Sequence, residues 1–136
     1  VERSFRYTTE TGRYYVFKEY KSTYRTDRDY SFSPTELKNY PVQGLATGDI
    51  VPMMLGILFR ELKDLTNVKL VNTVHDSILF DVSSQALKDG ITTKIKTILR
   101  NTHVYYEKTF GIPLSLKLSA GCQLGQNWYE MKELGE

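Results

Sequence analysis

The sequence predicts an α+β fold, a small antiparallel sheet with helices packed on one side. Three observations carry that prediction. The polar doublet His75-Asp76 falls between two sets of apolar residues, with Leu70, Val71 and Val74 before it and Ile78, Leu79, Phe80 and Val82 after it. That is the pattern of two short buried strands joined by a tight turn. Alternation of apolar and polar residues at Tyr14–Glu19 and again at Leu114–Ser119 reads as further strands with one buried face. Helical spacing of apolar residues occupies the stretches on either side of the doublet.

Taken along the chain, Thr11-Gly12 supplies a turn before the strand that begins at Tyr14. A second extended piece is expected through Tyr24 to Phe32. Ser33-Pro34-Thr35-Glu36 starts a helix: Ser33 as N-cap, Pro34 at the first position, Glu36 closing a capping box. The helix should be short, because Tyr40 precedes Pro41 and the proline ring pushes it out of helical geometry. A longer helix then runs from near Ala46 to Leu65 on the stripe Val51, Leu55, Leu58, Leu62 and Leu65. Pro52 is accommodated if that helix restarts near Asp49, where its missing N–H would be an orphan. Ser83 or Ser84 caps a third helix that carries Leu87, Ile91, Ile95, Ile98, Thr102, Tyr105 and Phe110 and stops at Gly111. Gly90 inside it costs roughly 1 kcal/mol relative to alanine.

Composition bounds the function. The 136 residues form one domain at most, with 40% hydrophobic and 25% charged residues, a globular balance. The net charge of +2 does not by itself mark a nucleic-acid binder. Its distribution is more informative: residues 1–40 hold eight Lys or Arg, six acids and seven of the ten tyrosines. Basic residues interleaved with aromatics suit a nucleic-acid surface, and they equally suit a Tyr-rich antiparallel sheet with solvated charges. Cys122 is the only cysteine, so an internal disulfide and a cysteine zinc cluster are both excluded. The apolar run Ile50–Phe59 is too short to cross a bilayer, and the chain reads as soluble, intracellular and cytoplasmic with no membrane partner.

A carboxylate at a rigid strand end, open to water, suits magnesium, which prefers one or two carboxylates plus substrate phosphates. Asp76 occupies such a place. A surface turn that uses Asp for its tolerance of turn geometry would look the same.

Further motifs share the chain with it. Lys38-Asn39-Tyr40-Pro41-Val42-Gln43-Gly44-Leu45-Ala46 lies upstream, followed by a helix and then Val74-His75-Asp76. Thr11-Gly12-Arg13-Tyr14-Tyr15 precedes it, and Ile112-Pro113-Leu114 through Gly125-Gln126-Asn127-Trp128 follows. Together these resemble the family A DNA polymerases, the bacterial polymerase I type and especially its phage relatives, with Val74-His75-Asp76 as the hairpin known as motif C. The resemblance runs from about Thr9 to Trp128. It implies that residues 1–136 are the C-terminal palm portion of such an enzyme, with 1–32 a β-rich segment after the fingers and 33–136 the helix, motif C hairpin, helix and closing strand.

The resemblance also implies a chemistry. The primer 3′-hydroxyl attacks the α-phosphate of a dNTP while two magnesium ions (Mg2+) stabilise the attacking and leaving oxygens. Asp76 would be one metal-binding carboxylate, and His75 would lie near the primer terminus. Gln43 and Asn39 would contact primer-template DNA in the minor groove, where acceptors are present at every base pair. Lys38 would reach a phosphate. Arg13 and Lys18 are candidates for backbone phosphates, and a solvated strand face explains them as well. Ser77 stands where bacterial relatives have Glu, and Thr35 where the family has an arginine. Gln126, Asn127 and Trp128 should close the last strand against the core.

The second aspartate of the family and its fingers helix have no counterpart here. Asp29-Tyr30-Ser31-Phe32 looks like the missing segment but lies at the wrong point in the order. The resemblance therefore implies a DNA-directed DNA polymerase part that is inactive alone: either the C-terminal subunit of a split enzyme, completed by a complementary polypeptide carrying the fingers and the first catalytic aspartate, or an excised or truncated piece of a longer polymerase. A non-catalytic DNA-binding or assembly module derived from a polymerase palm is the other class of reading. A histidine-based phosphohydrolase is a poor fit, since His103 is the only other histidine.

Overall fold

In the computed structural model, residues 3–21 and 30–135 are described. The chain is α+β and divides into two compact units, Val1–Val51 and Pro52–Glu136. In the first unit, strands β1 (Ser4–Thr8), β2 (Tyr14–Lys21) and β3 (Tyr30–Phe32) form an antiparallel sheet in the order β1-β2-β3. The extended piece expected from Tyr24 is seen from Tyr30 on; the rest lies outside the described residues.

Alternation fixes the faces of this sheet. Phe17 and Glu19 of β2 are buried, while Tyr14, Val16 and Tyr20 are exposed. On the inner face the Phe5 ring lies 5.3 Å from Phe17 and meets Phe32 edge-on at 5.0 Å. The Tyr40 ring, on helix α1 (Pro34–Gln43), lies 6.1 Å from Phe17. Glu19 is a carboxylate among these rings, and Arg3 satisfies it three ways: backbone N–H and Nε donate to Oε2 at 3.1 Å each, and Nη2 donates to Oε1 at 2.9 Å. These bonds hold the Glu19 carboxyl below its ordinary value of 4.5.

Helix α1 begins as expected. Ser33 is the N-cap and its Oγ accepts from the Glu36 N–H at 3.4 Å. It does not stop at Tyr40. Pro41 sits inside it, and the chain continues as a π-helix over Gly44–Ile50 and then as α2 (Val51–Leu62). The change of register is visible at Val51, whose N–H donates to the Ala46 carbonyl five residues back. Pro41 removes the donor to the Leu37 carbonyl, and α1 nonetheless runs on through it to Gln43. Gly44 is required at the entry to this segment, because a Cβ there would overlap the Tyr15 hydroxyl.

The helical run Pro34–Leu62 reaches 29 residues; by length and composition it could cross a membrane, a test that core helices of soluble proteins also pass.

In the second unit the core is Met54, Ile57, Leu58, Leu62, Val68, Ala86, Ile91, Ile98 and Tyr106. The single helix expected over residues 83–110 is three: α3 (Ser84–Lys88), α4 (Ile91–Arg100) and α5 (Thr102–Phe110). Gly90 at φ 82° breaks the first junction, and Asn101, at φ −89° and ψ 15°, breaks the second. The strand expected at Leu114–Ser119 does not form. Alternation alone gives no ladder, and Leu116 is exposed. The closing strands are instead β6 (Gln123–Leu124) and β7 (Lys132–Glu133). Trp128 does not seal the core as expected: it is 60% exposed on a short 3-10 turn that Asn127 caps.

Candidate functional site

Strands β4 (Val68–Val74) and β5 (Ser77–Val82) form the hairpin expected around His75-Asp76. Its register depends on a bulge. Leu70 pairs with Phe80, but the next pair is Asn72 with Leu79, so Val71 is an extra residue. Had the Leu70–Phe80 register continued, Val74 would face Asp76 and His75 alone would turn the chain. The bulge sets Val74 opposite Ser77 and leaves the two-residue loop His75-Asp76.

That loop is strained at a known residue. His75 has φ 54°, a left-handed conformation, and it is the one non-glycine residue with positive φ among the described residues. Two-residue hairpin turns of this kind normally place glycine there. For a residue with a Cβ the conformation costs roughly 1–2 kcal/mol. The tip is braced by the Ser77 hydroxyl, which donates to the Val74 carbonyl at 2.8 Å. His75 and Asp76 are both exposed. Neither makes a side-chain hydrogen bond or ion pair among the described residues.

The arms are not buried as expected. In β4 only Val68 is buried, and Leu70, Val71 and Val74 are 36%, 54% and 39% exposed. The reason is topological: among the described residues β4 and β5 pair only with each other, leaving two free edges and an apolar flank.

The other expected site residues lie in the first unit. Asn39 and Gln43 are exposed on α1 and stand four residues apart, hence on one face of the helix. Lys38 is exposed beside them, and Thr35 occupies the preceding turn. Arg13 is committed to this unit's own structure. Its Nε donates to Asp49 Oδ1 at 2.9 Å, its Nη2 lies 2.7 Å from the same oxygen, and Nη2 donates to the Gly48 carbonyl at 2.8 Å. The Asp49 partnership raises the Arg13 pKa, so the guanidinium is charged at any working pH. An α-helical carbonyl at Gly48 would turn to the N–H of residue 52, and Pro52 has none. Arg13 supplies the missing donor. Thr11 completes the cluster by donating its hydroxyl to Asp49 Oδ2 at 2.8 Å. Sequence reasoning missed this network, since its members lie 36 and 38 residues apart; the one signal was a proline four residues after a helical glycine.

No group of three or more His, Cys, Asp or Glu that could enclose a metal occurs among the described residues. Asp76 alone can offer a first carboxylate to a divalent cation that takes its remaining ligands from elsewhere.

The family model of DNA polymerase family A matches residues 1–130. Neither a curated protein nor a solved structure matches the chain.

Proposed function

The chain belongs to DNA polymerase family A, and from that premise we propose that it forms the C-terminal part of the palm of a DNA-directed DNA polymerase. Membership supports DNA synthesis, a nucleotidyl transfer that uses DNA and dNTP. The finer reading is that the chain works with a complementary polypeptide bearing the fingers and the first catalytic aspartate, in the cytoplasm. The observation that carries it is Asp76, a carboxylate with no partner among the described residues at the tip of a bulged, strained hairpin.

Each residue has a physical role. Asp76 is exposed and makes no ion pair among the described residues, so it binds a cation without breaking an existing one. Magnesium, when bound, neutralises charge on the reacting phosphates. His75, held at φ 54°, carries its imbalance of strain next to Asp76, and its imidazole donates to a phosphate oxygen at the primer end. Asn39 and Gln43 present two amides from one helix face to minor-groove acceptors, which grip the duplex irrespective of sequence. Lys38 adds a phosphate contact. Arg13 holds the π-helical segment after Gln43 rather than spending its charge on DNA. The exposed apolar flank Leu70, Val71 and Val74 is the surface for the missing palm strand.

The test is magnesium-dependent primer extension by this chain alone and with a polypeptide that supplies the fingers and first palm aspartate. Extension only in the mixture is the expected result. A stable complex on primed DNA with no extension in either case would instead make the chain a non-catalytic DNA-holding module.

A further inference from the structure

We infer that the Gly44–Ile50 π-helix is a register device held by a latch. While Thr11 and Arg13 grip Asp49, the helix keeps one residue more than an α-helix needs; once Arg13 lets go, the segment re-pairs as an α-helix. The surplus residue shows in the pairing. At the entry the Gly44 N–H reaches the Tyr40 carbonyl four residues back, and at the exit the Val51 N–H reaches the Ala46 carbonyl five back. One extra residue has therefore entered between them. Wide turns of this kind are rare, and they concentrate at functional sites.

Both ends of the segment are fixed to the same sheet. Upstream, the Tyr40 ring of α1 lies 6.4 Å from the Tyr15 ring and 6.1 Å from Phe17. Gly44 follows so close to the Tyr15 hydroxyl that a Cβ would overlap it. Downstream, Asp49 accepts from the Thr11 hydroxyl at 2.8 Å and from Arg13 Nε at 2.9 Å, two residues that flank the β1–β2 turn. Each α-helical residue turns the chain by about 100° around the axis. Drawing out the extra residue with α1 in place would swing Asp49 by up to about 100°, and its carboxylate would leave both donors. The latch thus favours one register over the other.

The alternative register has a defect that Arg13 also touches. In an α-helix the Val51 N–H would pair with Thr47, and the Gly48 carbonyl would face Pro52, which has no N–H. In the observed register Arg13 Nη2 donates to that carbonyl at 2.8 Å. One side chain therefore holds the carboxylate and fills the gap left by the proline. Two pairings of one segment that differ by a few hydrogen bonds form an element whose populations a single side chain can shift. The register sets the angle around the axis between Asp49 and the pair Asn39 and Gln43. Its use in placing those two amides rests on the function proposed above; the register itself does not.

The experiment is NMR of the whole isotope-labelled chain, reading the through-hydrogen-bond correlation from the Val51 amide nitrogen to its acceptor carbonyl carbon. No synthesis is read, so a failure here leaves the proposed function standing. In the wild type the correlation should go to Ala46, and in Arg13→Met it should move to Thr47. Arg6→Met removes a cation of the same sheet that lies over Tyr14, and it should leave the correlation at Ala46. If Arg13→Met fails to fold, the Arg13→Met, Pro52→Ala double variant decides, because it supplies the amide that the Gly48 carbonyl lacks. There Val51 should pair with Thr47, and the residue 52 amide with Gly48. A wild-type correlation to Thr47, an Ala46 correlation that persists without Arg13, or the same move in Arg6→Met would overturn the proposal.

Discussion

The β1–β2 and β4–β5 hairpins both turn on polar residues, and a carboxylate beside each is treated in the opposite way. Between β1 and β2 the left-handed position falls to Gly12, at φ 88°, where it carries no Cβ strain. Beside this turn Asp49 is saturated, with Thr11 on one oxygen and Arg13 on the other. Between β4 and β5 the left-handed position falls to His75, and Asp76 beside it has no hydrogen-bond donor among the described residues. The first turn is stabilised by Thr9, Thr11 and Arg13, while its own Glu10 is exposed to solvent. The second keeps strain and an open carboxylate, a combination that stability alone does not explain and that metal or phosphate binding would.

Four substitutions break or sharpen that contrast. The largest change in stability should come from Asp49→Ala, which leaves Arg13, the Thr11 hydroxyl and a buried site without their shared partner. We expect a loss of about 2 kcal/mol by urea unfolding, kept below the value for a fully buried pair because the Arg13 side chain is 40% exposed. Gly12→Ala should cost about 1 kcal/mol; there is open space around a Cβ at that position, so backbone strain is its only source. His75→Gly should do the reverse, raising stability by up to about 1 kcal/mol while slowing primer extension in the completed enzyme. If His75→Gly lowered stability as Gly12→Ala does, the strain at the second turn would not be real.

The smallest effect concerns pH. Arg3 lowers the Glu19 pKa, so this pair adds stability that is fully present above 4.5, the ordinary value, and is lost as pH falls through the lowered folded value. Glu19→Gln should therefore remove part of the acid limb of the unfolding profile and leave the limb above pH 5 unchanged in shape. Equal acid sensitivity in the variant and the wild type would show that the exposed Arg3 is screened too well to matter.

Local chemistry was legible in the sequence, and long-range pairing was not. Ser33 caps its helix as its spacing to Glu36 suggests, and of the two candidates Ser83 and Ser84 it is Ser83 that caps, with Oγ acceptors at 3.4 and 3.1 Å. The hairpin at His75-Asp76 forms because apolar flanks and a polar doublet agree on it. Pro41 misled, since it was expected to end the helix and α1 runs through it to Gln43 before the π register begins at Gly44. Leu114, Leu116 and Leu118 alternate like a strand but lie where no strand pairs with them. The exposure of Leu70, Val71 and Val74 could not be read either, for an apolar residue records that burial is favourable and not which neighbour provides it. At the site, Asp76 was found by its setting in the turn. Arg13 was a candidate for a backbone phosphate or for a solvated strand face, and only the fold reveals its bond to Asp49.

The central claim is that Asp76 serves chemistry and contributes nothing to the fold. One experiment reads both quantities on one variant: Asp76→Asn, compared with wild type by urea unfolding and by magnesium-dependent primer extension in the completed enzyme. The account predicts unfolding within about 0.5 kcal/mol of wild type, as for a surface residue without partners, and extension reduced by at least about a hundred-fold. Extension at the wild-type rate would contradict it, and so would a loss of stability large enough to account for the loss of activity.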